Sequence, residues 1–531
     1  VALVLRDYQV NGVDLIRNAF RSGKRAPLFV APTGAGKTTI FSFITEGAAK
    51  KGRRVWILVH RSELKDQTSR TLREIGVAHG LIASGESMDQ TQIVQVASVQ
   101  TVVKRLDKVI PPDLIITDEA HHAAAGTYAK IAQAFPKALN LGVSATPQRL
   151  DGKGLSGVFD ILIRGPEVAD LIERGFLSRP AYFCPPVQFD ASQLHVTAGD
   201  FNKHDLEEVV DKPKIVGDSV ATYARICPGA PAIAFCVSVQ HAQHVAEAFR
   251  AAGYRAATID GDMLPAQRRD LISSLGDGRL HVLTSCDLIG EGVDVPVVSV
   301  AILLRPTQSL GLHIQQIGRC LRPVYDKRLP ITTDAERIAA IAAGPKPRAI
   351  VLDHAGNCLR HGLAEEYREW SLDGRADTKK KKKDGDAGDR VCQCPKCYSV
   401  HMPAPKCEAC GHAYIKEGRE IEQVAGELVE LITPMVGAAA SGASFIQCPS
   451  CTHVHAGRLS ICPRCARDHG GAEVRAARQE RGSAQTFQQL IDFAKKRSYK
   501  NPHGYAAHVW KARHGHYPTA EERHTQVLAG L

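Results

Sequence analysis

Between Leu5 and Leu150 short apolar runs recur as RVWILVH (54–60), QIVQVASV (92–99), DLIITDEA (113–120) and ALNLGVSATP (138–147), each separated from the next by an amphipathic stretch. Near-continuous apolar runs of this length, alternating with helical periodicity, are the pattern of a parallel sheet with crossover helices. A first α/β domain is therefore predicted over residues 1–160. A second series, APAIAFCVS (230–238), RAATIDG (255–261), LHVLTSC (280–286), VSVAILLRP (298–306) and PRAIVLDHAG (347–356), predicts another α/β domain over 213–370. The stretch between them, 161–212, carries several prolines and one short helical segment and reads as a connector.

After Trp370 the pattern changes. Residues 371–390, SLDGRADTKKKKKDGDAGDR, contain no apolar cluster and read as a flexible linker, expected to insulate the two α/β domains from the folding of the C-terminal region. From Phe487, the positions Phe487, Leu490, Ile491 and Ala494 return to helical spacing. Asn501-Pro502 breaks the chain before a second helical stretch with Tyr505, Val509 and Trp510, so a helical hairpin is predicted within a basic tail at 484–531. Between Lys495 and His516 that tail has six Lys/Arg and four His with no acid, which suits a nucleic-acid arm. Its aromatics serve equally well as the core of the hairpin.

The whole chain has 531 residues and a formal charge of +11, which favours an anionic polymer as partner. The run VPVVSVAILL stops at Arg305, short of a membrane span, and no signal-peptide pattern is present, so a cytoplasmic location without membrane contact is expected. In a bacterium this would be the nucleoid, and for a phage protein the host cytoplasm.

Of the fifteen cysteines, nine crowd into 392–465. They form Cys394-x2-Cys397-x9-Cys407-x2-Cys410 within 391–415 and Cys448-x2-Cys451-x10-Cys462-x2-Cys465 within 445–468. Each set supplies four thiolates for a tetrahedral Zn²⁺, so two zinc ribbons are predicted. Cys392 could replace Cys394, and His412 and His453 stand nearby as alternatives.

The stretch APTGAGKTT (31–39) after the apolar Leu28-Phe29-Val30 has the chemistry of a phosphate loop: backbone N–H groups for phosphates, Lys37 for their outer charge and Thr38 for Mg²⁺. Ala31 stands where the first glycine of that pattern belongs. Asp118 and Glu119 follow an apolar strand, where a doubly wound sheet binds ligands. One acid there can hold Mg²⁺ while its neighbour polarises water.

In order, LRDYQ (5–9), APTGAGKTT, LVHRSEL (58–64), VASVQT (96–101), DEAH (118–121), SATP (144–147), TSCDLIGEGVDVP (284–296) and QQIGRCLRP (315–323) resemble the motifs of a superfamily 2 helicase of the DEAH-box type. With LDHAGNCLRHG (352–362) and the cysteine ribbons, the order is similar to RadD-like bacterial and phage DNA helicases. The resemblance implies an α/β fold of two RecA-like parallel-sheet domains in tandem, followed by two small zinc ribbons and a helical C-terminal tail. It also implies ATP hydrolysis with Mg²⁺. Arg6, Tyr8 and Gln9 would hold adenine. Thr33, Gly34, Ala35, Gly36, Lys37, Thr38 and Thr39 would hold phosphate and metal, and Gly292 and Asp294 would lie near the ribose. Asp118 would hold Mg²⁺ with Thr38, Glu119 would be the base, and His121 and Gln315 would link nucleotide to the second domain. Arg319 and Arg322 would be arginine fingers, while Ser144 and Thr146 would couple hydrolysis to movement. Arg61, Gln100, Thr101, Ser238 and Thr284 would touch nucleic-acid phosphates, although strand-end hydroxyls also serve as caps. Gln316 replaces an arginine common in relatives. His122 receives no role beyond a structural one.

The implied function is an ATP-dependent DNA helicase or translocase acting on single-stranded or branched DNA in recombination or repair, with recombination or single-strand-binding proteins as partners. An RNA helicase, a zinc-ribbon DNA adaptor that uses ATP as a switch, and the motor subunit of a restriction system remain alternatives.

Overall fold

In the computed structural model the described residues are 3–123, 126–149, 154–185, 195–197, 200–288, 295–373, 391–414, 445–447, 454–456, 487–496, 502–514 and 517–518. Seven strands make the first sheet: β1 (Pro27–Val30), β2 (Val55–Val59), β3 (Gly80–Ile82), β4 (Val94–Ser98), β5 (Leu114–Asp118), β6 (Leu139–Ser144) and β7 (Ile161–Arg164). Their order is β3-β4-β2-β5-β6-β1-β7, with every pairing parallel. Strands β1, β2 and β5 are buried at every position, so both faces are covered by helices and the strands read as unbroken apolar runs.

The register decides where chemistry collects. Val30 pairs with Ser144, and Asp118 pairs with Val143. The carboxyl ends of β1, β6 and β5 therefore lie side by side, and the segments that come after them, 31–36, 144–147 and 118–122, meet at one edge of the sheet.

The second sheet contains β8 (Pro180–Phe183), β11 (Ala232–Phe235), β12 (Ala256–Ile259), β13 (Val282–Ser285), β14 (Val300–Leu303), β15 (Ala349–Asp353), β16 (Cys392–Gln393) and β17 (Ser399–His401). A two-stranded ribbon, β9 (Val196–Thr197) and β10 (Asp200–Phe201), precedes β11. The second sheet runs β12-β13-β11-β14-β15-β8-β17-β16, parallel up to β8 and antiparallel thereafter. Residues 161–212, read from sequence as a connector, thus give β7 to the first sheet and β8 to the second.

The cysteine hairpin is part of that second sheet. Val400 pairs with Tyr182 and Ser399 with Phe183, and the Cys184 amide donates to the Tyr398 carbonyl at 2.9 Å. The insulation expected of the lysine-rich stretch does not hold for this first ribbon, because its strand covers an edge the second domain would otherwise leave open. Residues 374–390 themselves lie outside the described residues.

The chain divides into two compact units, Val1–Ala413 and Tyr414–Leu531. In the second, β18 (Phe445–Gln447) pairs antiparallel with β19 (Val454–Ala456). The helices Phe487–Lys496 and Pro502–His514 pack through Phe487, Leu490, Ile491, Ala506, Ala507 and Trp510. Trp510 meets Phe487 edge-on at 6.0 Å within that core, while the half-buried Tyr505 stacks on Phe493 at 6.0 Å outside it. Among the described residues no helix is long and apolar enough to cross a membrane.

Candidate active site

The loop after β1 is shaped by two glycines. Gly34 and Gly36 have φ of 88° and 79°, and a Cβ on Gly36 would lie 2.4 Å from Gln9 Nε2. Ala31 is absent from the positive-φ residues, so the glycine missing there costs the backbone nothing. Gly36 caps the helix Lys37–Ala49, whose first N–H groups face the loop. Lys37 Nζ donates to the Ala31 and Pro32 carbonyls at 3.1 and 3.4 Å. Burial pushes its pKa down, while Glu119 and Asp118 oppose that shift.

Asp118 ends β5 and accepts the Glu119 amide at 3.0 Å. Burial first, then the Glu119 charge, pushes the Asp118 carboxyl up to about 7, with Lys37 pulling the other way. Glu119 sits in the left-handed region at φ 49° and ψ 53°, a conformation a non-glycine residue keeps only when its surroundings hold it there. Its Oε2 lies 3.4 Å from His121 Nδ1, which is also 3.2 Å from Ser144 Oγ. Ser144 Oγ donates to the Thr146 carbonyl at 2.6 Å, so the imidazole is the donor toward Ser144. The DEAH and SAT segments are thus one bonded unit.

The second domain closes the site from the other side. The helix Leu310–Gly318 carries buried Gln315 and Gln316 and is followed directly by Arg319. A Cβ on Gly318 would lie 2.6 Å from Thr33 Cβ, and one on Gly311 would lie 3.1 Å from Thr146 Oγ1. Both ends of this helix therefore press on the first domain. Arg319 and Arg322 are close enough to Lys37 for their charges to act on its amine. Burial brings the Arg322 guanidinium down to about 10. Its carbonyl accepts Lys346 Nζ at 2.6 Å, which anchors the Arg319–Arg322 segment from behind.

At the base end, Gln9 is engaged on both sides: Oε1 accepts the Arg6 amide at 3.0 Å and Nε2 donates to the Ala35 carbonyl at 3.1 Å. Tyr8 Oη donates to the same carbonyl at 3.2 Å and accepts from Arg6 at 2.9 Å. Beside them opens a cavity of about 380 Å³ lined by Arg6, Arg174, Phe176, Tyr325 and Arg337. Three guanidinium groups face the Phe176 ring, from Arg337 at 4.1 Å, Arg6 at 4.7 Å and Arg174 at 5.1 Å. Phe176, Tyr325 and Arg337 carry no sequence signal, because the fold gathers them from three distant segments. Gly292 and Asp294 lie outside the described residues.

The five phosphate-contact candidates part company. Arg61 donates to the Asp287 carbonyl at 3.0 Å across the cleft, and exposed Gln100 donates to the His60 carbonyl at 3.4 Å. Thr101 is buried beside Gln100. Ser238 accepts the His241 amide at 3.0 Å and bonds Glu207, which makes it the cap of the helix Val239–Ala251. Thr284 is wholly buried, donating to the Ala242 carbonyl at 2.8 Å. Its side chain is a core hydroxyl that also meets Thr258 Oγ1 at 2.9 Å.

Cys394, Cys397, Cys407 and Cys410 place their sulfurs within 4.8 Å of one another, with the pairs Cys394–Cys410 and Cys397–Cys407 each at 3.6 Å. A tetrahedral Zn²⁺ with ~2.3 Å bonds requires S–S edges of about 3.8 Å, so the set fits zinc closely. Tyr398 and Gly411, at φ 59° and 71°, turn the backbone beyond each Cys pair. Cys392 is outside the cluster and faces His401 at 3.4 Å, so the four-sulfur set contains Cys394 and not Cys392. Cys448, Cys451, Cys462 and Cys465 lie outside the described residues.

The pattern described as "Type III restriction enzyme, res subunit" matches residues 2–149, and "Helicase conserved C-terminal domain" matches 218–324. A 51.5 kDa protein of a Lactococcus phage is 34% identical over 404 residues, covering 76% of this chain and 81% of that protein. The chain belongs to the superfamily 2 helicases. It is by family an ATP-hydrolysing helicase. The Saccharomyces cerevisiae protein named as an ATP-dependent helicase, IRC3, is 31% identical over 347 residues, 61% of this chain and 50% of its own length. The helicase chain thus spans about half of that relative. The Sulfurisphaera tokodaii DNA 3'-5' translocase XPB2 is 24% identical over 363 residues, 60% of this chain and 78% of that one. A solved HsdR fragment of a type I restriction enzyme from Vibrio vulnificus shares the fold, with TM-score 0.50 and 19% identity over 67% of this chain and 65% of that one.

Proposed function

We propose that this helicase is a DNA translocase or unwinding enzyme in which ATP hydrolysis opens and closes the cleft between its two sheets. The observation that carries this reading is the two-sided site: Lys37, Asp118 and Glu119 stand on the first domain, and Arg319 and Arg322 arrive from the second within electrostatic reach of Lys37. Bound Mg–ATP supplies the phosphoanhydride to be cleaved. Thr38 and Asp118 would hold Mg²⁺, and the Lys37 amine neutralises outer phosphate charge. The Glu119 carboxylate takes a proton from water, and the two guanidinium groups steady the charge that develops. Because both domains contribute cations, closure depends on the phosphate chain and is released with it.

DNA as the track is supported by the net charge of +11, the name of the archaeal relative, and the placement of Arg61 and Gln100 beside the cleft. Such contacts are sequence-blind, so affinity falls steeply with salt. Single-stranded or branched DNA in recombination or repair, with single-strand-binding or recombination proteins as partners, is the setting this reading favours. Two Zn²⁺ per chain complete it, one at the cluster described and one at Cys448, Cys451, Cys462 and Cys465; elemental analysis giving one metal per chain would remove the second. ATP turnover with single-stranded, duplex and forked DNA and with RNA tests the whole. Stimulation by DNA supports the reading, and stronger stimulation by RNA replaces it with an RNA helicase.

A further inference from the structure

We propose that His60 and His122 are positioning residues for hydrolysis, forming with His121 a rail of adjoining, tilted imidazoles that ties Glu119 to the loops on which a bound strand rests. The proposal rests on the reading of the chain as a nucleic-acid-driven ATPase.

Sheet register creates the rail. β2 and β5 are parallel neighbours, with Leu58 opposite Thr117, so the residues just beyond their carboxyl ends adjoin. His60 follows β2, and His122 ends the short turn Ala120–His122 after β5. Their ring centroids are 4.4 Å apart, and those of His122 and His121 are 4.1 Å apart. His121 in turn lies 3.4 Å from Glu119 Oε2. An unbroken line of touching groups therefore runs from His60 to the carboxylate placed to activate water.

The far end of the line is fixed by two candidate strand contacts. The His60 carbonyl accepts from Gln100 Nε2 at 3.4 Å, and the next residue, Arg61, donates to the Asp287 carbonyl at 3.0 Å. A phosphate that engages Arg61 or Gln100 competes with these bonds and shifts the His60 backbone. His60 and His122 are half-buried and His121 is buried, so a shift that enters at His60 is passed along rings in contact to a ring that is itself held by the core. At the near end Glu119 occupies left-handed backbone, so its geometry depends on the groups packed around it. Rings filling space without coupling would support basal and stimulated hydrolysis equally.

The test compares His60→Ala and His122→Ala in the full chain with His60→Phe and His122→Phe, which keep an aromatic ring at each position. Turnover at saturating ATP is read with and without saturating oligothymidylate, together with the KM for ATP. In the Ala variants the ratio of stimulated to basal kcat should fall about fivefold to tenfold, the scale of ordinary site-to-site coupling. The KM should hold within about twofold, and the Phe variants should recover most of the ratio. An unchanged ratio in both Ala variants overturns the rail, as does a fall that Phe leaves uncorrected. A wild-type chain that no nucleic acid stimulates overturns the functional reading itself, and the rail with it.

Discussion

Removing the cysteine hairpin should destabilise the second domain. A chain ending at 413 keeps β16 and β17, whereas one ending at 375 loses both. The cut removes Val391 and Val400, which are buried in the same cluster as Tyr182 and Cys184. At ~1.5–3 kcal/mol per buried valine this amounts to roughly 3–6 kcal/mol. The β17–β8 pairing, the Cys184–Tyr398 bond and the Gln393 contact to the Cys184 carbonyl add roughly 1 kcal/mol each. The deleted hairpin no longer has to be ordered, which offsets about half of that sum and leaves a net loss on the order of 3 kcal/mol. For a domain of this size that is roughly a 6–12 °C fall in the unfolding midpoint. Thermal unfolding of the two chains by circular dichroism measures it, and Cys397→Ser or a strong chelator on the longer chain should produce a comparable fall, since metal binding drives the folding of such ribbons. Coincident midpoints for the two chains would show that the β8 edge needs no cover and refute the reasoning.

Asp118→Asn should stabilise the metal-free protein at pH 8 by roughly 2–4 kcal/mol, because burial holds the native carboxyl near pH 7, so its ionisation is paid for across pH 4–7 as pH rises. The gain should shrink as pH is lowered toward 5, and a less stable Asn variant at pH 8 in a chelating buffer would contradict the sign. Thr284→Val should leave affinity for single-stranded DNA within about twofold while lowering stability by ~1 kcal/mol, as expected for a buried hydroxyl bonded to the Ala242 carbonyl; a large loss of affinity in a titration would return Thr284 to the track. Gly36→Ala should abolish nucleotide binding in an equilibrium assay, since its Cβ would meet Gln9 Nε2 at 2.4 Å and its φ of 79° strains any side chain. Wild-type affinity in that variant would mean the loop is not shaped as described.

The parts legible in sequence are those whose chemistry is local. The phosphate loop, the DEAH acids and the pair Arg319 and Arg322 each lie within a few residues and follow a recognisable strand or helix; the parallel register of the first sheet brings the loop and the acids together, and the packing of the helix Leu310–Gly318 on the first domain brings the arginines to them. The cavity beside Gln9 was not legible, because Phe176, Tyr325 and Arg337 come from segments far apart in the chain. His60 escaped notice for a related reason: only the pairing of β2 with β5 places it against His122. Thr284 and Ser238 show a different limit. A hydroxyl at a strand end looks the same in sequence whether it faces a ligand, the core or a helix cap, and the fold chose the last two. Strands β16 and β17 are two and three residues long, too short to show alternation, so nothing in the cysteine spacing announced that they extend the second sheet.

The central claim is that hydrolysis depends on an acid from one domain and a guanidinium from the other. Steady-state ATP turnover of the full chain, with saturating single-stranded DNA and Mg²⁺, should be compared for wild type, Glu119→Gln and Arg322→Ala, with ATP binding measured alongside. The expected result is DNA-stimulated turnover in wild type and a loss of about 10³-fold or more in each variant, with Glu119→Gln still binding ATP. Wild-type turnover in either variant would contradict it.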